Sequence, residues 1–254
     1  MTPVAIELDF DGRVVLVTGG TKGVGRGIAR RFADAGATVA VCSRSEPEAL
    51  PDGWTWLGAD LRDGDAAWAM VDDVVDRLGS LDVLVNNAGG SPPADSTTAT
   101  PRFTERIVAL NLFAAIFCSQ RANHWMQQGG GGSIVNIGSV SGLRPTPHTA
   151  AYGAAKAGLV NFTQTVAVEW APKVRVNLVT AGMVRTEQSH LFYGDDAGIA
   201  EVGKTVPLGR IAEPDDIGDA CLFLASDLAA YVSGANLAVH GGGERPPYLD
   251  VSAL

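Results

Sequence analysis

Four polar residues have types and spacings that could move a proton and bind a carbonyl oxygen. Tyr152 and Lys156 lie four residues apart, so in a helix they share one face. A phenol with a pKa of about 10 is a poor base at neutral pH, and a nearby ammonium lowers that pKa. Ser139 follows an apolar run and can donate to a substrate oxygen. Asn111 interrupts an apolar segment, where an unpaired amide is costly. We therefore expect these four residues to form a catalytic site.

A glycine-rich turn predicts a phosphate-binding site. Gly19, Gly23 and Gly25 separate an apolar run from a helical pattern. Glycines at this point let a phosphate approach the backbone N–H groups at the start of the helix. The spacing is wider than the usual G-x-G-x-x-G, so a purely structural turn or a methyltransferase site stays an alternative. The turn lacks the Gly-Lys-Ser/Thr ending of a P-loop.

The end of the second apolar run indicates which dinucleotide is bound. Ser43 and Arg44 stand where a carboxylate would favour NAD by binding the ribose 2′-hydroxyl. Arg44, together with Lys22 in the glycine turn, can instead pair with a 2′-phosphate. Glu46 weakens this argument slightly, and the alternative is that both residues are solvated surface cations. We expect NADP(H) to be preferred, with NAD(H) as the alternative.

Short apolar strands alternate with helical patterns along the chain. This alternation predicts an α/β fold: a single-domain, Rossmann-type, doubly wound parallel sheet of about seven strands with helices on both faces. No linker or repeat divides residues 1–254. The predicted strands are 14–17, 38–42, 54–57, 83–85, 133–137, 174–179 and 235–239. The predicted helices are 25–35, 65–78, 103–127, 152–170 and 214–224, and residues 45–53 leave little room for another.

Composition excludes several classes of protein. The 254 residues carry a net charge of −9, which opposes binding to nucleic acid or anionic lipid. Cys42, Cys118 and Cys221 form no CxxC pair and the four histidines no HExxH, so we expect core thiols and no metal site. The N-terminus lacks signal-peptide features, and the longest apolar run is too short to span a bilayer. We expect a cytoplasmic protein whose partner is a small molecule.

The motifs, taken in order, resemble the short-chain dehydrogenase/reductase family over nearly the whole chain. Thr18–Gly25 is similar to its TGxxxGxG, residues 86–89 to its NNAG, and residues 152–156 to its YxxxK. One motif alone is weak, because each residue could instead cap a turn, bridge two helices or lie in solvent. Asn111 and Ser139 also fall where the Asn and Ser of the family's catalytic tetrad belong, and all these matches in register favour the catalytic interpretation.

The resemblance implies a role for each candidate residue. Tyr152 would be the acid/base, Ser139 the donor to the substrate oxygen and Lys156 both a ribose ligand and the group that lowers the pKa of the tyrosine. Asn111 would hold a water in a proton relay. Asp60 would bind the adenine amine. The expected cofactor-binding residues are Gly19, Thr21, Lys22, Gly23, Val24, Gly25, Ser43, Arg44, Asp60, Leu61, Asn87, Ala88, Gly89, Tyr152, Lys156, Gly182, Val184 and Thr186, of which Val184 and Thr186 would contact the carboxamide.

Two positions depart from the family pattern. Ala181-Gly182 replaces a Pro-Gly pair, so placement of the nicotinamide ring is expected to be looser. His240 replaces an Asp before Gly-Gly, and we interpret it as a buried or interface histidine rather than a ligand.

The expected function is an NADP(H)-dependent oxidoreductase that acts on a ketone or secondary alcohol. Residues 187–206 are expected to form a substrate lid, and its Leu191, Phe192 and Tyr193 indicate an apolar substrate. A 3-oxoacyl thioester reductase, a non-catalytic dinucleotide-sensing module and, more distantly, a methyltransferase are the alternatives. Apolar surface on the helices at 103–127 and from 152 predicts a homo-oligomer, and the resemblance implies a tetramer.

Overall fold

One parallel sheet forms the centre of the protein. The computed structural model describes residues 8–244 and 246. Within them, seven strands lie in the order β3-β2-β1-β4-β5-β6-β7, and every neighbouring pair is parallel. The strands are β1 (Val14–Thr18), β2 (Thr38–Ser43), β3 (Thr55–Gly58), β4 (Val83–Asn86), β5 (Gly132–Ser139), β6 (Val174–Ala181) and β7 (Asn236–Val239). The expected doubly wound fold is confirmed.

Helices cover both faces of this sheet. They are α1 (Gly23–Asp34), α2 (Gly64–Leu78), α3 (Pro101–Val108), α4 (Ala114–Gln128), α5 (Ala150–Glu169), α6 (His190–Tyr193), α7 (Asp196–Lys204) and α8 (Pro214–Ala225). The connection from β2 to β3 contains no helix, as its proline-rich sequence predicts. In the described part of the chain, no helix is both long and apolar enough to cross a membrane.

The sheet lies between two apolar layers, which explains why its strands appear in the sequence as continuous hydrophobic runs. Successive residues point to opposite faces, so Leu16 packs in one layer while Val15 and Val17 pack in the other. All three are completely buried, because helices cover each face. The three cysteines are buried free thiols within these layers, as expected from their spacing.

The predicted helix over residues 103–127 is not continuous. Residues Ala109–Phe113 form a π-helical turn between α3 and α4. At its centre, the side-chain amide of Asn111 donates to the carbonyl of Ile107 at 2.9 Å. That carbonyl, four residues earlier, is the acceptor that the backbone N–H of Asn111 would use in an α-helix. Side-chain competition for this acceptor accounts for the wide turn, a feature often found at functional sites.

The lid segment also differs from expectation. The sequence pattern indicated no helix between residues 187 and 206, but α6 and α7 lie there. The N-terminus of α7 is capped by Asp195, whose carboxylate accepts from the N–H of Gly198 at 3.0 Å.

A buried polar network joins the sheet to the helices that carry the candidate site. Asn86 on β4 donates to Asn136 on β5 and to Ser119 on α4, both at 2.8 Å. Asn136 in turn donates to Thr163 on α5 at 2.9 Å. These side chains are at most 4% exposed, so each lost bond leaves a polar group without water. The network therefore aligns β4, β5, α4 and α5.

Removing the centre of this network should destabilise the fold. We expect Asn136→Ala to lower the free energy of unfolding by about 1–3 kcal/mol, because Asn86 and Thr163 lose a buried partner. Asn161→Ala, on the exposed side of α5, should change it by less than about 0.5 kcal/mol. Urea denaturation of both variants measures the difference. Equal stability of the two variants would contradict the role assigned to the network.

Candidate active site

A long groove runs across the carboxyl ends of the strands. It consists of two cavities, of about 630 Å³ and about 520 Å³, which share Gly19, Lys22, Ala88, Gly89 and Gly90. The shared residues follow β1 and β4, the two strands at which the strand order reverses. Open α/β sheets bind their ligands at this switch point. The groove fits an elongated ligand such as a dinucleotide.

The glycine turn brings backbone groups close together at the middle of the groove. A Cβ on Gly25 would lie 2.3 Å from the carbonyl oxygen of Gly19, so no larger residue fits there. Helix α1 begins at Gly23 and points its N-terminal N–H groups toward the groove. The N–H of Gly23 donates to the carboxylate of Glu187 at 3.3 Å, as expected for an N–H group at a helix N-terminus.

Hydrogen bonds fix the end of β4 against this turn. The hydroxyl of Thr18 accepts from the N–H groups of Asn87 and Ala88, each at 3.0 Å. The side chain of Asn87 donates to the carbonyl of Thr18 at 3.0 Å. The residues that resemble the NNAG motif therefore connect the end of β4 to the end of β1.

The outer end of the groove is rich in cations. Arg44 and Asp60 line the 630 Å³ cavity, and so do Ser43 and Leu61. Arg62 lines it as well, and its guanidinium binds the carboxylate of Asp60 with Nε to Oδ1 at 2.8 Å. This ion pair lowers the pKa of Asp60 to about 2, with a smaller contribution from the charge of Arg44. The sequence analysis missed Arg62, although its place two residues after Asp60 permits the bond.

The inner end of the groove brings three of the proton-transfer candidates together. Tyr152 on α5 and Ser139 at the end of β5 line the same 520 Å³ cavity, and Ser139 acts on the phenol by lowering its pKa. Lys156, one helical turn later, lies with its Nζ 5.7 Å from the centre of the Tyr152 ring. The ammonium donates to the carbonyl oxygen of Ile137 at 2.7 Å and is buried.

Burial has the largest effect on the pKa values of Tyr152 and Lys156. It raises the pKa of Tyr152, and the hydrogen bond from Ser139 only partly offsets that rise. Burial also lowers the pKa of Lys156 from 10.5 to about 8. Burial of the phenol has the largest effect on its pKa, so the lowering of that pKa by Lys156 stays a prediction.

Asn111 acts on the loop after β4. Its side-chain oxygen accepts from the N–H of Gly90 at 2.8 Å, and its amide donates to the carbonyl of the same residue at 3.0 Å. A Cβ on Gly89 would lie 2.7 Å from the Asn111 oxygen and 3.4 Å from the Lys156 nitrogen. The glycine therefore lets the loop approach both side chains. The expected water held by Asn111 stays a prediction.

His240, one of the two departures from the family pattern, lies beside the residue that follows the other departure, Ala181. Gly182, after β6, packs against His240, and a Cβ on Gly182 would lie 2.7 Å from that of His240. The Nδ1 atom of His240 is buried and has no hydrogen-bond partner among the described residues. His240 is therefore in a packed position rather than fully exposed to solvent. Nearby, Val184 and Thr186 line the 520 Å³ cavity.

The groove gathers residues from the whole length of the chain. Except for Asn111, which contacts the groove through Gly90, every predicted catalytic and cofactor-binding residue lines one of the two cavities. The sequence analysis missed the lining residues Arg62, Arg102, Arg106, Glu187 and Gln188. The side chains of Leu191 and Phe192 lie outside the described part of the structure, so the expected apolar lining by these residues is not tested.

Known proteins match this chain over most of its length. A family model described as enoyl-(acyl carrier protein) reductase matches residues 19–244. A 3alpha-hydroxysteroid dehydrogenase of Mediterraneibacter gnavus is 36% identical over 241 residues, which are 90% of this chain and 96% of that protein. A cis-4-hydroxycyclohexanecarboxylate dehydrogenase of Sinomonas cyclohexanicum is 36% identical over 244 residues, which are 92% of this chain and 97% of that protein.

Solved structures agree with these matches. A protein of Sinorhizobium meliloti described as a short-chain alcohol dehydrogenase superimposes with a TM-score of 0.87 at 36% identity, over 93% of this chain and 98% of that one. The ligand-free aldohexose dehydrogenase of Thermoplasma acidophilum also gives 0.87, at 32% identity, over 94% of this chain and 96% of that one.

The buried ammonium should make stability depend on pH. Because the pKa of Lys156 falls to about 8 on folding, the unfolded chain holds more protons from about pH 8 to about pH 10.5. Stability should therefore rise with pH through this window. We expect urea denaturation between about pH 8 and about pH 9.5 to show a steeper rise for the wild type than for Lys156→Met. Identical slopes would show that burial of the ammonium is not linked to folding.

Proposed function

The chain belongs to the short-chain dehydrogenase/reductase family and is an NAD(P)-dependent oxidoreductase acting on CH–OH or C=O groups. From this premise we propose that it interconverts a ketone and a secondary alcohol, that it prefers NADP(H), and that Tyr152 is the acid/base. The observation that carries the proposal is that Ser139, Tyr152 and Lys156 line the same cavity as the glycine turn.

The two hydroxyls define where a substrate oxygen binds. In the direction of reduction, Ser139 donates a hydrogen bond to the carbonyl oxygen and Tyr152 transfers its proton to it. The raised pKa of Tyr152 keeps the phenol protonated at neutral pH, which suits a proton donor. When bound, the nicotinamide cofactor supplies or accepts the hydride. In alcohol oxidation the proton returns to Tyr152.

Lys156 and Asn111 hold the site in shape. The ammonium of Lys156, fixed by the Ile137 carbonyl, is placed to bind the ribose hydroxyls and to stabilise the phenolate when it forms. Asn111 anchors Gly90 and so keeps the loop after β4 beside the lysine. We assign Asn111 to the proton relay through a water, as the resemblance implies.

The preference for NADP(H) rests on charge at the outer end of the groove. Arg44 and Lys22 line that cavity. The one carboxylate among its lining residues, Asp60, is bound to Arg62. A 2′-phosphate would therefore meet unpaired cations there, whereas the 2′-hydroxyl of NAD(H) would lack the carboxylate that usually binds it. The other cofactor contacts follow the predicted set, from the glycine turn to Val184 and Thr186.

The remaining assignments are also part of this proposal. Residues 187–206 serve as a lid, because Glu187 and Gln188 already border the groove. Three buried free thiols are consistent with a reducing, cytoplasmic location. The chain acts as one domain on a small molecule.

Loss of the tyrosine hydroxyl tests the proposal directly. We expect Tyr152→Phe to reduce the rate of NADPH-dependent ketone reduction by about 10²- to 10⁴-fold, because the proton donor is lost. The matched control is Tyr231→Phe, on a fully exposed tyrosine, which should keep the wild-type rate. A panel of ketones and alcohols, assayed with NADPH and NADH, measures both. Full activity of Tyr152→Phe would refute the assigned role.

Exposed apolar side chains support the proposed homo-oligomer. Val168 on α5 is 80% exposed and Phe113 beside α4 is 44% exposed, which are large values for such residues. We expect light scattering to give a mass of four times the 26.3 kDa chain, as for a tetramer. A monomeric mass at working concentration would exclude assembly through these helices.

A further inference from the structure

Unpaired cations are concentrated at one cavity of an acidic protein. Most arginine and lysine side chains that the structure describes form an ion pair or a hydrogen bond. Six of those described do neither: Arg13, Lys22, Arg26, Arg44, Arg102 and Arg106. Four of the six, Lys22, Arg44, Arg102 and Arg106, line the 630 Å³ cavity. Such a concentration in a chain of net charge −9 favours an anionic occupant of this cavity.

We propose that Arg102 and Arg106 of α3 determine cofactor specificity by forming a second cationic side of the groove that recognises the 2′-phosphate charge of NADP(H). This inference rests on the proposed preference for NADP(H). It extends the recognition beyond Lys22 and Arg44 to an element for which the sequence analysis predicted no cofactor contact.

The structure of α3 holds both arginines toward the same cavity. They lie four residues apart, so they share one face of the helix. The helix starts with Pro101, and the hydroxyl of Thr100 caps it by accepting from the N–H of Phe103 at 3.2 Å. Ile107 on the same helix is buried and also lines the cavity. The charged face is thus fixed to an anchored helix.

The local charge balance favours an extra phosphate. Arg62 is neutralised by Asp60, and Glu105, which lies between the two arginines in sequence, does not line the cavity. A 2′-phosphate adds a charge of about −1.5 to −2 at neutral pH. Charges act on each other over about one Debye length, roughly 10 Å at 0.1 M salt, so cations lining one cavity can attract a phosphate without direct contact. The more highly charged cofactor therefore gains more from Arg102 and Arg106.

Binding measurements separate this inference from the catalytic proposal. Dissociation constants for NADPH, NADH, adenosine 2′,5′-bisphosphate and AMP are measured by calorimetry on the wild type and on Arg102→Gln/Arg106→Gln. We expect the double variant to bind NADPH and the bisphosphate about tenfold more weakly, and NADH and AMP less than about threefold more weakly. The loss should shrink as salt is added, because the arginines act through charge.

The matched control removes the same number of charges elsewhere. Arg13→Gln/Arg26→Gln changes the two unpaired cations that do not line the cavity, and it should leave the ratio of NADPH to NADH affinity unchanged. An equal fold-loss of affinity for NADPH and NADH in the double variant, or the same loss in the control, would overturn the inference. In that case, a wild type that prefers NADPH would still support the cofactor proposal. A wild type that binds NADH as tightly as NADPH would overturn both. Thermal melting checks that each variant is folded.

Discussion

The buried ammonium of Lys156 is the constraint on which the rest of the site depends. A charge without water needs a strong acceptor, and the carbonyl of Ile137 on β5 provides it at 2.7 Å. The neighbouring residue of β5, Asn136, binds Thr163 two turns further along α5. These two bonds hold the helix in one register on the sheet. That register places Tyr152 against Ser139, so the proton-transfer geometry follows from how α5 is attached.

Charge is distributed according to function rather than evenly. The chain is acidic overall, yet the groove collects cations that have no acidic partner. Elsewhere in the described part of the chain most arginines are paired, as in Arg30 with Asp215 between α1 and α8. Exposed ion pairs of this kind contribute little stability, but each acidic partner cancels the charge of its arginine. The positive potential is therefore concentrated at the unpaired cations of the groove. An anionic cofactor is therefore attracted to one place on a molecule that otherwise repels it.

Local sequence patterns predicted most of the elements because the central strands are buried on both faces and helices such as α1 and α2 have a clear apolar periodicity. They failed where a side chain competes with the backbone. Asn111 takes the Ile107 carbonyl and turns one predicted helix into two helices and a π turn. They also failed for Arg62, whose bond to Asp60 depends on the conformation of a short loop, and for the helices of the lid, which are short and weakly patterned.

The sequence by itself determined the fold class, the family and the identity of the candidate residues, because each motif is a local run whose glycines, polar groups and strand positions carry chemical meaning alone. Only the tertiary structure decided how these motifs act on each other. Burial has the largest effect on the pKa of Tyr152, and Asn111 anchors the loop at Gly90. Arginines of α3 joined a cavity formed by residues far away in the chain. Burial and charge proximity arise from the packing of distant segments, and no local pattern of residues contains them.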